Sequence, residues 1–364
     1  MRRRATIKNN NTAHNIQDLD VSAFLRSGAL LSLSAECIWV FQGTPKSLSQ
    51  PVSGQPMIYS PDFYLDSQAP YLSFPVVIKT TMSQLSKVLE AKMISIDWHM
   101  KSPKFQDFDN KIEKIRKMFK SNKLKKAVPV VFETFERAPQ LNEIQALILS
   151  LLQRKQNDLY VYGLWTGQQG VLGLSPEVLW QGNVNEGLIS TMALAGTRKS
   201  QDKSKNLLTD PKELNEHNIV VDEIVQKMTG VGSVNVGSTY EWDIGGLVHL
   251  RTDIQVKLSQ PTTFKAITQK LHPTPALGLS GALTDWKWLK QLDGSVDRLK
   301  YGAPFGLIQE DGSGCVVVGI RNLQWNAGKS MLGSGCGVVP QSDTKKEWLE
   351  LSAKRDYVKS QLGL

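Results

Sequence analysis

Little in this chain marks a specialised environment. Its three cysteines, Cys37, Cys315 and Cys336, are too few and too scattered for a disulfide framework or a paired-cysteine metal site. No apolar run approaches the ~18 residues of a membrane span. The segment 1–11 is basic and polar with no apolar stretch behind it, so no secretory leader is expected. There is no internal repeat and no low-complexity linker. These absences point to a reducing, cytoplasmic setting without membrane contact. The chain has 364 residues, 41% hydrophobic and 21% charged, enough for one large soluble domain with a sizeable core. Residues 1–20, rich in Asn, Thr and Arg, are expected to be a flexible N-terminus, and 21–364 a single domain.

Acidic residues are also scarce. Against 43 Lys and Arg stand 34 Asp and Glu, a net charge of +9. The excess gathers between Lys101 and Lys126, where Asp107, Asp109 and Glu113 alone oppose the cations. Such a run attracts anions, and a non-catalytic nucleic-acid-binding protein is one reading. The pattern favours another. Phe108, Ile112, Ile115 and Phe119 recur at helical spacing, which makes one buried stripe with solvated charge outside it. No aromatics interleave with the exposed cations, so no nucleic acid is expected.

Strands are read at ALLSLSA, CIWVFQG and PVVIKT, and at KKAVPVVFETF, where Pro129 demands an edge position or a bulge. LYVYGLW, GVLGLS, EVLWQG and LISTMAL form an antiparallel meander. More strands are expected near 233–241, 246–257, 314–323 and 330–340. Helices are expected near 107–122, over Leu141–Leu151, and near 211–228, 263–271 and 343–359. Long strands with segregated helices give an α+β class.

Two helices carry paired acids. Asp210-Pro211-Lys212-Glu213 is a helix start, and Glu216 lies one turn past Glu213 on the same face. Like charges at that spacing repel, so local stability does not ask for the pair. Near the C-terminus, Ser342 or Asp343 can cap a helix that presents Glu347, Glu350 and Lys354 together. Two Glu-x-x-Glu pairs could offer an oxygen cage suited to Mg²⁺, with some carboxylates acting through water. Gly333, Gly335 and Gly337 allow close backbone approach to an anion. Arg321, at the end of an apolar strand, needs a partner: an internal carboxylate or a substrate carboxylate. His217 can orient Glu216. His249 and His272 read as hydrogen-bonding supports, and Cys336 as packing.

The ordered blocks STMALAGTR, DPKELNEHNIVVD, VHLRTDI, LHPTPALG, YGAPFG, GIR, SGCGVV and EWLELSAK run through the C-terminal half. Over roughly residues 100–364 they resemble the chorismate-utilising enzymes, most closely the isochorismate synthase branch. The resemblance implies large, mainly antiparallel sheets packed as a sandwich with helices outside. It implies Mg²⁺ held by Glu216 and Glu350 with Glu213 and Glu347 in support. Substrate would meet Ala195, Gly196, Thr197, His249, Tyr301, Arg321, Gly335, Cys336, Gly337 and Lys354. Lys126 would be the base, Lys125 being its rival by a one-residue slip, and Glu177 in Ser175-Pro176-Glu177 the acid.

The implied reaction is conversion of chorismate to isochorismate, by water attack at C2 and loss of the C4 hydroxyl. The lysine then needs burial or neighbouring cations, and Glu177 needs an apolar setting or neighbouring anions. Salicylate, anthranilate and aminodeoxychorismate synthases are the family alternatives. Ala195 stands where aminodeoxychorismate synthases carry a lysine, and VDEIVQKM replaces the Arg-Asn-Asp stretch typical of anthranilate enzymes. LSGALTDW after Gly278 and Pro129 in the base strand depart from the family pattern and bear on pocket shape. The product would feed menaquinone or siderophore synthesis, and the chain would be a monomer or a weak homodimer.

Overall fold

Alternation along the strands sets the architecture. In Ser27–Ser32, Leu30 packs into one core while Ala29 and Leu31 pack into another. Val40 and its neighbours Trp39 and Phe41 divide the same way on Ile38–Gln42. Successive side chains of a strand point to opposite faces, so a sheet apolar on both faces must be covered twice. The computed structural model describes residues 15–90, 98–156, 158–203, 206–244, 246–283, 285–294, 297–326 and 328–364.

Among the described residues, two large sheets form, and every strand pair is antiparallel. The eight-stranded sheet runs Val76–Thr80, Ile38–Gln42, Ser27–Ser32, Tyr160–Thr166, Gln169–Ser175, Asn322–Asn326, Lys329–Gly335, Val130–Phe135. The ten-stranded sheet is built around Leu247–Leu258, Leu188–Lys199, Val178–Asn183, Ser313–Val318 and Pro304–Ile308. Their inner faces meet in a core of Leu31, Phe41, Val178, Met192, Phe305 and Val317. Helices Leu141–Arg154 and Thr344–Leu362 cover the outside of the first sheet. Helices Pro211–Thr229 and Phe264–Leu271 cover the second, and Phe105–Lys120 packs beside Thr344–Leu362, with Lys111 Nζ donating to Val130 O on the edge strand of the first. The result is the α+β sandwich with helices outside. Trp180 shows how the layers lock: its ring is buried against Phe264, and Nε1 donates to Thr268 Oγ1 at 2.9 Å.

Several features differ from expectation, and the strand expected near 233–241 is two, Gly232–Val236 and Tyr240–Ile244. Residues 15–20 are ordered: Asn15 caps a short 3-10 turn and Leu19 is buried, while 1–14 lie outside the described residues. Three short helices, Val21–Arg26, Met82–Val88 and Trp286–Asp293, were not anticipated. The strand expected over 314–323 is two strands. Ser313–Val318 belongs to one sheet and Asn322–Asn326 to the other, and the chain crosses between them at 319–321. Arg321 makes the turn with φ +54°, a conformation costly for a side chain other than glycine's. Pro129 falls between Lys126–Ala127, which pairs with Leu279–Ser280, and Val130–Phe135, an edge strand. A residue without an N–H suits that break.

Candidate active site

The places where the chain changes sheets build the site. Pro176 and Glu177 connect Gln169–Ser175 in one sheet to Val178–Asn183 in the other, and Arg321 lies on the neighbouring crossover. Backbone bonds stitch the two crossings together: Val318 N–H donates to Glu177 O at 2.9 Å, and Leu174 N–H to Arg321 O at 3.2 Å. A third irregularity faces them. The pairing of Leu188–Lys199 with Leu247–Leu258 slips between Ala195 and Arg198, leaving Gly196 at φ +72° in a bulge. Bulges of this kind re-aim side chains beside active sites.

These elements enclose one recess. Lys126, Glu177, Ala195, Gly196, Thr197, Glu216, His249, Tyr301, Arg321, Gly335, Gly337 and Lys354 all line it. Cys336 does not: it packs in the core with Val338 and Leu351, as alternation between Gly335 and Gly337 requires. Glu213, Glu347 and Glu350 stand behind the recess, reached through Glu216 and Lys354. Lys126 is buried and Lys125 is on the surface, which settles their orientation. Lys126 Nζ lies 3.0 Å from Glu216 Oε1. The expected burial is present, but the charged partner beside this lysine is an anion rather than a cation.

Burial pushes the Glu177 carboxyl up to about 7, against the pull of Lys126, Lys354 and Arg321. This is the setting expected of an acid that must carry a proton near neutrality. Burial would also raise Glu216, but Lys126 and Lys212 outweigh it and hold that carboxyl down at about 2. Two carboxylates in one recess thus have opposite proton affinities.

Arg321 is the candidate carboxylate clamp. Its Nη2 meets His249 Nε2, its guanidinium lies 4.7 Å from the Tyr357 ring centre, and its buried Nη1 has no hydrogen-bond partner. No ion pair joins it to a carboxylate among the described residues. That internal partnership belongs to a different arginine: Arg298, fully buried, pairs with Asp293 at 2.6 Å and donates to Leu277 O and Val128 O. Lys354 Nζ donates to Gly335 O at 2.9 Å and pairs with Glu350 at 2.7 Å. Burial alone would lower Lys354, and Glu350 reverses that. His217 does not orient Glu216 through its Nε2, which bonds Thr252 Oγ1 at 2.7 Å. His272 Nε2 donates to Phe63 O at 2.7 Å, a support as expected.

The four glutamates come together. Asp210 caps Pro211–Thr229, accepting from Lys212 and Glu213 N–H, and Asp343 caps Thr344–Leu362, accepting from Lys346 N–H. Glu213 also accepts from Thr197 N–H at 3.2 Å, which fixes the bulge. Among the described residues no three acidic, His or Cys side chains stand at metal-ligating spacing. Lys212 lies between Glu213, Glu216 and Glu347. The donors are all carboxylate oxygens, Glu347 Oε2 is buried without a partner, and burial and then Glu350 push the Glu347 carboxyl up to about 7. A set of carboxylate oxygens with one left unpartnered, Glu347 Oε2, fits a hard divalent cation. Lys212 was read only as part of a helix start. Its i,i+4 spacing to Glu216 was the available signal.

A family model for chorismate binding enzyme matches residues 76–363. The chain belongs to this family. The match begins before residue 100, where the ordered blocks were first legible. Among relatives of this chorismate binding enzyme, the salicylate biosynthesis isochorismate synthase of Pseudomonas aeruginosa is 29% identical over 231 residues, 60% of this chain and 48% of that protein. Anthranilate synthase component 1 of Acetivibrio thermocellus is 30% identical over 205 residues, 52% of this chain and 40% of that one. The chain thus spans about half the length of these relatives or less. A solved structure of a Bacillus anthracis protein, assigned as the 2,3-dihydroxybenzoate-specific isochorismate synthase DhbC, superposes with a TM-score of 0.76. It covers 96% of this chain and 98% of its own, at 18% identity, a likeness of fold. No helix among the described residues is long and apolar enough to cross a membrane.

Proposed function

We propose that this chain converts chorismate to isochorismate. The observation that carries the reading is Lys126 and Glu177 on one recess, the latter with a carboxyl near 7. Lys126 takes a proton from water as the oxygen bonds to C2. The ring π electrons shift, the C4–O bond breaks, and the hydroxyl leaves as water with the proton of Glu177. One water enters and one departs, so the change is an isomerisation. Each such proton-transfer group contributes on the order of 10²–10⁴ in rate. Lys126 Nζ rests 3.0 Å from Glu216 Oε1, so this contact must loosen for Lys126 to reach the attacking water. Arg321, through its unpartnered Nη1, and Lys354 receive substrate carboxylates. Mg²⁺ held by Glu216 and Glu350, with Glu213 and Glu347 in support, would offset carboxylate charge on the substrate.

The test is product analysis by chromatography after incubation with chorismate and Mg²⁺, with and without an ammonium salt. Isochorismate that requires Mg²⁺ and ignores ammonium is the expected result. Salicylate with pyruvate would move the chain to the salicylate branch, and an amino product formed only with ammonium would overturn the water mechanism.

A further inference from the structure

Lys212 Nζ lies 3.3 Å from Glu213 Oε1, 3.2 Å from Glu216 Oε2 and 3.1 Å from Glu347 Oε1. One ammonium therefore gathers three carboxylates from two helices. The other cations are committed elsewhere: Lys126 holds the second oxygen of Glu216, and Lys354 holds Glu350. Lys212 alone of the three contacts both Glu-x-x-Glu pairs. A metal ion bound by the same three oxygens would need the space that Nζ fills. Two cations at such separation repel strongly in a buried setting, so occupancy is exclusive.

The lysine is placed to leave. It sits in the first turn of its helix, and its side chain is 20% exposed, against 3–7% for the glutamates it bridges. Its long, flexible stem can swing the ammonium into water without unwinding the helix. Its charge meanwhile offsets buried carboxylates that would otherwise repel one another.

We propose that Lys212 is a tethered cation that holds the two carboxylate helices together until a divalent metal displaces it. The inference rests on the reading of the four glutamates as a Mg²⁺ site. It assigns Lys212 the role of competitor and placeholder, not ligand. Removing the charge should therefore tighten metal binding while weakening the metal-free fold.

The experiment compares wild type, Lys212→Met and Lys212→Arg by calorimetric titration with MgCl₂ in the absence of substrate, and by thermal melts with EDTA or Mg²⁺. Loss of charge-assisted bonds to the competitor predicts that Lys212→Met binds Mg²⁺ roughly tenfold more tightly than wild type. Its melting temperature should fall below wild type in EDTA and recover in Mg²⁺, while Lys212→Arg stays near wild type in both. If the Met variant unfolds outright in EDTA, which wild type survives, that unfolding reports the same effect. Equal or weaker Mg²⁺ binding by Lys212→Met, with wild type binding normally, overturns the proposal and leaves the metal site standing. No Mg²⁺ binding by either protein overturns the metal site and the proposal together.

Discussion

His249 and Arg321 are joined ring nitrogen to guanidinium, with Nε2 2.8 Å from Nη2. The other ring nitrogen lies 3.0 Å from Gly196 O, so Nδ1 carries the proton and Nε2 accepts from the arginine. Burial, then Arg321 itself, holds the imidazole well below its ordinary value, and it stays neutral. His249 is thus a positioning residue that aims Arg321 from the Gly196 bulge. Replacing it with Ala should raise KM for chorismate about tenfold or more, by the worth of a hydrogen bond to a charged group, and change kcat little. Steady-state kinetics decide. A fall in kcat at constant KM would show that the imidazole acts on the chemical step.

Gly337 tests the Lys126–Glu216 pair without touching either residue. A Cβ there would overlap the Glu216 carboxylate and come within 2.6 Å of Lys126 Cε. Gly337→Ala should destabilise the protein by about 1–3 kcal/mol, the range for overpacking a core. Activity should drop at least ~100-fold, the lower worth of a misplaced proton-transfer group. Circular dichroism and kcat/KM measured together separate this outcome from global unfolding.

In the proposed reaction the Glu177 carboxyl, raised to about 7 by burial, must be protonated to release the C4 hydroxyl. Activity should therefore fall as pH rises through about 7. A pH–rate profile of wild type should show this descending limb, and Glu177→Gln should be nearly inactive at all pH values. A wild-type rate that is level from pH 6 to 9 would remove Glu177 from the acid role.

The same shift costs stability. The folded value near 7 exceeds the ~4.3 of an unfolded glutamate. The fold therefore favours the neutral carboxyl, a contribution complete below ~4.3 and lost as pH climbs through 7. Glu177→Gln has no such loss. Its melting temperature should exceed that of wild type by a margin that widens from pH 5 to 7 and then holds, worth on the order of 1–3 kcal/mol. A constant margin across that range would mean that Glu177 is not held neutral.

Long periodic elements were legible in the sequence, and so were the carboxylate helices. Phe108, Ile112 and Ile115 are buried as their spacing required, with Phe119 half-buried. Val21–Arg26 and Trp286–Asp293 are short and went unread, although Phe264–Leu271, no longer than the second, was expected. The apolar run before Arg321 concealed a change of sheet because its left-handed backbone has no glycine to announce it. Of the two partners open to Arg321, an internal carboxylate is absent among the described residues and is found at Arg298 instead; pairing across space leaves no local trace. Glu177 was legible only by resemblance: burial sets its proton affinity, and burial here comes from two sheets far apart in sequence.

The crossings at Glu177 and Arg321 also bear on motion. Both carbonyls accept amides from strands deep in the sandwich, and the strands that follow are laddered from their first residues, Val178 to Val317 and Asn322 to Gly173. Amides of Leu174 and Val318 should exchange with solvent only on opening of whole sheets, among the slowest in the chain. A ligand entering the recess should therefore leave Glu177 and Arg321 in place. The first turns of Pro211–Thr229 and Thr344–Leu362 meet through side-chain charge, an ion pair between Lys212 and Glu347, and can part without breaking a strand ladder.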